Sequence, residues 1–244
     1  MTHTTGLPAG AADPSALDGA AAGLTRGVRV AAAATLVLGT GLQAAAWVVD
    51  PQSSYRGALA SAAADAGARD LAELFLVTAI PFLVGGFLVY AVLGRRRSPR
   101  LAWSGAVLMT YGLINLGIHS GAELLQFQLA AGRLLTPAAI ARLADHPSLP
   151  AAVVQFSFLG CILVGVPLTV VSLWRSGVVP RPAAALLGAF LVVDLAGRGI
   201  EAHLIAFVAA SWIAVSVVRP RPARRRLLLP RRVDGGMTAT SSRG

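Results

Sequence analysis

Residues 183–218, AAALLGAFLVVDLAGRGIEAHLIAFVAASWIAVSVV, decide the fold. A ~30 Å hydrocarbon core is crossed by ~20 apolar residues, so this stretch is too long for one ordinary span and short for two. Its middle reads Asp194-Leu-Ala-Gly197-Arg198-Gly199-Ile-Glu201. In a single long helix those charges would lie deepest in lipid, at about 2.5–3.5 kcal/mol each. A tight turn between two short helices avoids that cost.

The rest of the chain agrees. Apolar runs at about 28–49, 71–93, 101–127 and 152–174 are each long enough to span. The composition is 55% hydrophobic and only 13% charged, against roughly 25% charged in soluble domains. All basic residues are arginine, and they sort by side as cytoplasmic loops require. With six spans, Arg26, Arg29, Arg95, Arg96, Arg97, Arg100, Arg175, Arg181 and the arginines from Arg219 onward share one side. Arg56, Arg69, Arg133, Arg142 and Arg198 keep the other. With five spans the tail beginning Arg219-Pro-Arg221-Pro-Ala-Arg224-Arg225-Arg226 would have to cross the membrane.

The expectation is therefore an all-α, polytopic integral membrane protein with six transmembrane helices and both termini in the cytoplasm. Residues 1–25 form a disordered tail, too poor in apolar content to offset the entropy of ordering. Residues 26–218 form the membrane domain, with spans at about 28–49, 71–93, 101–127, 152–174, 183–196 and 200–218. Residues 219–244 form an Arg-rich cytoplasmic tail, largely disordered. Pro81 with Gly85 and Gly86, and Pro167, are expected to kink the second and fourth spans, and the fifth and sixth form a short hairpin. Short surface helices are expected within 51–70 and from Thr136, where a hydroxyl can cap free amides and Pro137 opens the helix. Arg26 to Arg29, the run after it and Ala44-Ala45-Ala46 have the outline of a signal peptide. The run exceeds the usual 7–15 residues and its basic pair lies far from Met1, so it reads as a retained span. An all-Arg basic set with abundant Ala, Gly and Pro fits a GC-rich bacterial genome, and with it the bacterial cytoplasmic (inner) membrane.

This topology also sorts the acids. Asp50, Asp65, Asp70, Glu73, Glu123, Asp145, Asp194 and Glu201 all fall on or near the extracytoplasmic side. Asp50, Asp70 and Glu73, at helix ends, read as solvated, and Arg198 as a partner for Asp194 or Glu201 across the turn. On the third helix Tyr111, Asn115, His119 and Glu123 are spaced by four and form one stripe, which Gln126 extends. From the cytoplasmic edge at Leu101, a rise of ~1.5 Å per residue puts His119 roughly 27 Å up; the same rise from Val218 puts His203 roughly 22 Å up. Gln43 and Gln155 also fall in the outer half. Ionisable residues in a span usually face the bundle interior and mark a ligand, ion or proton path. Asn115, His119, Glu123, Glu201, His203, Gln155 and Gln43 are accordingly the candidate binding residues of one outward-opening polar cavity. Gly117 and Gly121 make a small-xxx-small pair opposite His119 that lets another helix approach.

Two histidines at similar depth raise the possibility of haem ligation; His119, Glu123 and His203 are also candidate ligands for a divalent metal. Glu201 and His203, two apart, point to opposite faces of a regular helix, which weighs against a shared metal. Zinc-protease, nucleophile-elbow and phosphate-loop motifs are absent. The single Cys161, in an apolar run, rules out an intrachain disulfide and reads as packing. The balance leans away from an enzyme. At the tail, Arg219, Arg221, Arg224, Arg225 and Arg226 read as binding anionic lipid headgroups, and no nucleic acid is expected. The leading expectation is a protein that binds or passes a small solute, ion or lipid. Its rivals are a haem- or metal-dependent membrane oxidoreductase and a non-catalytic accessory subunit with a membrane-protein partner.

Overall fold

A chain segment in lipid has no water to bond its amides and must satisfy them internally, which for these runs means helices. The computed structural model describes residues 25–51, 65–132 and 148–219, with positions 57, 59, 62, 134, 136, 138, 139, 142 and 145 between them. The N-terminal stretch 1–24 and the tail arginines Arg221, Arg224, Arg225 and Arg226 lie outside the described residues. Six helices follow in order: α1 (Arg26–Val49), α2 (Ala66–Gly94), α3 (Pro99–Ala131), α4 (Leu149–Ser176), α5 (Arg181–Leu195) and α6 (Gly199–Val218). Among the described residues there is no strand.

Five of the six are long and apolar enough to cross a membrane. The exception is α5, whose 15 residues reach roughly 22 Å. The helices overrun their apolar cores because capping residues sit beyond them. Asp65 accepts from the Ala68 amide at 3.1 Å, so α2 starts more than a turn before its apolar run. Thr25 caps α1 through the Val28 amide, and Ser148 caps α4 through that of Ala151. Pro81 and Pro167 both lie inside continuous helices. The turn at 196–198 closes the α5–α6 hairpin with Gly197 at φ 75, a left-handed conformation that favours glycine. Of the expected surface helix at Thr136, its cap is described: the hydroxyl accepts from Ala139 at 3.2 Å.

Successive helices pack as neighbours and α6 closes the ring against α1, while α2 also touches α4 across the middle. Connections at 95–98 and 177–180 are short, as antiparallel neighbours require. Alternating helix direction therefore leaves one end of the bundle rich in arginine and gathers every described acid near the other. The largest apolar cluster, including Leu36, Leu173, Val178, Val179 and Ile213, lies toward the arginine-rich end. At the acidic end Leu59 and Ala62, from the α1–α2 connection, pack against Phe127 and Ala130 of α3.

Close approach between helices depends on small residues at other positions than Gly117 and Gly121. A methyl group on Gly39 would stand 2.9 Å from the Leu83 amide nitrogen of α2. One on Gly105 would stand 2.7 Å from the Thr169 hydroxyl of α4, and one on Gly112 2.9 Å from Cβ of Cys161. Cys161 is thus part of a tight α3–α4 seam. Gly117 has only the tip of Ile80 at 3.3 Å, and Gly121 faces nothing within 4 Å.

Gly39→Leu should therefore force α1 and α2 apart and cost at least the 1–3 kcal/mol (about) of core overpacking. Gly121→Ala should leave stability unchanged or raise it by up to about 1 kcal/mol. Thermal unfolding in mild detergent distinguishes the two, and equal melting temperatures would contradict the packing described.

Candidate functional site

At the acidic end, α1 stops at Asp50, whose amide bonds to the Ala46 carbonyl. The early start of α2 brings Arg69 and Glu73, one turn apart, alongside it. The Arg69 guanidinium donates to Asp50 Oδ2 at 3.1 Å and, through its other terminal nitrogen, to Glu73 Oε1. It lies over the Phe127 ring, 4.1 Å from the centroid. All three charged side chains are shielded, Arg69 being 12% exposed, Asp50 3% and Glu73 2%. A guanidinium is well made for this place, since its planar fork serves two carboxylates while its face rests on an aromatic ring.

On α3, His119 Nε2 lies 3.4 Å from Glu123 Oε1. Both side chains are partly exposed, at 31% and 21%. Glu123 and Asp50 lie within electrostatic reach of Glu73, and Glu73 within reach of His119. Asp50 and Glu73 thus flank one guanidinium from two helices, and the His119–Glu123 pair of α3 lies within electrostatic reach of Glu73. Glu73 Oε2 and Arg69 Nε are buried without a hydrogen-bond partner among the described residues.

The other sequence candidates do not converge here. Asn115 is buried, and its amide donates to the Tyr111 carbonyl of its own helix at 3.0 Å, while the Tyr111 side chain is exposed. Gln126 is partly buried and Gln155 is exposed on α4. Gln43 lines a central cavity of about 80 Å³ with Thr40, Phe87, Tyr90, Phe158 and Phe190. That space is well below the ~300 Å³ of small ligand pockets, and the Tyr90 hydroxyl is buried in it without a partner. His203 is 5% exposed. Its Nδ1–H donates to the Gly199 carbonyl at 2.7 Å. Its ring stacks on Trp47 at 5.1 Å and meets Phe190 edge-on at 5.6 Å. Glu201 turns outward to pair with Arg198 at 2.7 Å, and both are exposed. Asp194 lies instead within electrostatic reach of His203.

A porphyrin held by both histidines would have to bridge α3 and α6, which do not pack as neighbours. On the His203 side it would also displace Trp47 and Phe190. Among the described residues no three of His, Cys, Asp and Glu gather to hold a metal ion. Compared with protein-family models, curated proteins and solved structures, the chain matches none of them. The arrangement at the acidic end is thus a polar assembly that joins three helices, and its chemistry is that of an acid-rich, partly shielded electrostatic site.

Of the three acids expected to be solvated at helix ends, Asp70 is exposed, but Asp50 and Glu73 are buried because Arg69 draws them into its ion pairs. One available signal was the i, i+4 spacing of Arg69 and Glu73, a favourable ion pair on any helix. The cover from Leu59 and Ala62 left no comparable pattern.

Removing one partner of a buried ion pair strands the other charge, at about 3–5 kcal/mol. Arg69→Met should therefore destabilise the protein strongly. In an Asp50→Asn, Glu73→Gln background the same substitution should cost much less. A double-mutant cycle on detergent melting temperatures checks this, and additive losses would show that Arg69 is not compensating those acids.

Proposed function

We propose that this chain is a multipass protein of the bacterial cytoplasmic membrane, with both termini inside, that binds a small ammonium-type cation at the outward-facing cluster of Asp50, Arg69, Glu73, His119 and Glu123. The single observation that carries the reading is the Glu73 carboxylate, whose Oε2 is buried with no hydrogen-bond partner among the described residues while a second acid, Glu123, lies within electrostatic reach. A buried carboxylate oxygen is costly unless it is bonded, so a cation or protonated group is its natural complement. His119 adds sensitivity near neutral pH, because an imidazole titrates there and its protonation changes the charge beside Glu123. The sidedness follows from the positive-inside rule applied to the arginine-rich end. The cluster lies at the mouth of the bundle and the central cavity is small, so the reading is of binding rather than open conduction.

A second reading is favoured by Gln155, a polar side chain exposed on the flank of α4. An amide facing lipid is satisfied best by a neighbouring transmembrane helix, which is the setting of an accessory subunit.

Binding of a cation to the folded state raises stability by RT ln(1 + [L]/Kd), about 2.7 kcal/mol at 100 times Kd. Purified protein should show saturable thermal stabilisation by ammonium, methylammonium or dimethylammonium, with N-methylglucamine holding ionic strength constant. Glu73→Gln and Glu123→Gln should each weaken that response, whereas Glu201→Gln should not. A melting temperature indifferent to all three cations would sink the cation reading and leave the accessory one.

A further inference from the structure

The opposite end of the bundle holds a second charged assembly, made where two short connections meet. Arg97 comes from the α2–α3 turn, Trp174 and Arg175 from the last turn of α4, and Arg181 from the first of α5. Gly177, at φ 64, ends α4 in the left-handed conformation and lets the chain reverse between Arg175 and Arg181. Together these residues line a recess of about 430 Å³, open to one side. The Arg181 guanidinium lies 5.9 Å from the Trp174 ring centroid. Trp174 itself is 46% exposed.

No described carboxylate pairs with Arg97, Arg175 or Arg181, since the described acids near helix ends all belong to the far side of the bundle. Three guanidinium groups around one recess are therefore uncompensated from within the described protein. Their forks match the oxygens of a phosphate group, with several parallel charge-assisted hydrogen bonds. A phosphate can arrive free in solution or on a lipid. Trp174 favours the lipid: an exposed indole at a helix end belongs to the aromatic belt at headgroup depth, beside the acyl chains.

We infer that Arg97, Arg175 and Arg181, with Trp174, form a binding site for the phosphate headgroup of an anionic lipid at the arginine-rich face. The site is distinct from the arginine tail in being built from three folded segments, the α2–α3 turn, the end of α4 and the start of α5. An anionic lipid seated there links the α2–α3 and α4–α5 turns.

The test uses delipidated full-length protein in mild detergent, with native mass spectrometry to count bound lipid. The probes are dioctanoyl phosphatidylglycerol, dioctanoyl phosphatidylcholine and inorganic phosphate. The wild type should retain one phosphatidylglycerol more tightly than phosphatidylcholine. Arg97→Gln, Arg175→Gln and Arg181→Gln combined should weaken that affinity roughly tenfold or more, as loss of charge-assisted bonds requires. Replacing the same three by lysine keeps the charge but loses the forks, and should give an intermediate affinity if the site is geometric. Arg224→Gln, Arg225→Gln and Arg226→Gln combined should leave the tight site intact. Circular dichroism and gel filtration establish that each variant is folded; if the glutamine variant is not, the lysine variant decides. Unchanged phosphatidylglycerol affinity in the folded pocket variant, or loss of the tight site on removal of the tail arginines, would overturn the assignment. Displacement of the lipid by equimolar inorganic phosphate would overturn its lipid source.

Discussion

A hydrocarbon interior offers no water to a hydroxyl, amide or imidazole, and several polar side chains in these helices meet that constraint in the same way. Thr35, Thr40, Asn115, Thr169 and Ser216 each donate to the carbonyl four residues back, at 2.8–3.0 Å. Ser172 and Ser176 use the carbonyl three back, and His203 that of Gly199. Such bonds satisfy the group without tying one helix to another. Cohesion between helices must come from elsewhere, and here it comes from glycines that let backbones touch and from Arg69, which joins α1 and α2 by charge and α3 by its stacking on Phe127.

That division explains what the sequence made legible. The number and order of the six helices could be read because each rests on a one-dimensional quantity: apolar length for four runs, and the charged turn at 194–201 for the last two. The short α5 and the turn at Gly197 were visible in the same way. Packing was not. Gly39, Gly105 and Gly112 mark close contacts, while Gly117 and Gly121, with the more recognisable spacing, do not, because spacing fixes a face but not what lies against it.

The polar site shows the same limit at the level of side chains. Depth along the helices put His119 and His203 at similar heights, but height says nothing about position around a ring, and α3 and α6 are not neighbours. His203 is held by Trp47, Phe190 and Gly199, and Gln43 looks into a small apolar cavity. His119 and Glu123 are an adjacent pair, as their spacing implied, but their other companions come from helix ends. Asp50 and Glu73 resembled solvated termini because in a string of letters nothing distinguishes a helix end in water from one packed beside another helix. The burial of Leu59 and Ala62 against Phe127 and Ala130 is a tertiary fact.

The 15 residues of α5 fall about 8 Å short of a ~30 Å hydrocarbon core. Its exposed turn carries Arg198 and Glu201 as an ion pair, and an ion pair is not left in acyl chains where headgroups or water can reach it. Against a full-thickness bilayer the α5 flank would present a hydrophobic mismatch that α2 and α4 do not. The protein is thus asymmetric toward its lipid annulus, with one thin flank and one thick. Hydrophobic mismatch of that kind costs a fraction of a kcal/mol per Å (roughly) and sorts proteins laterally among membrane regions of different thickness. The shortest helix therefore sets a membrane preference that the five longer ones do not share.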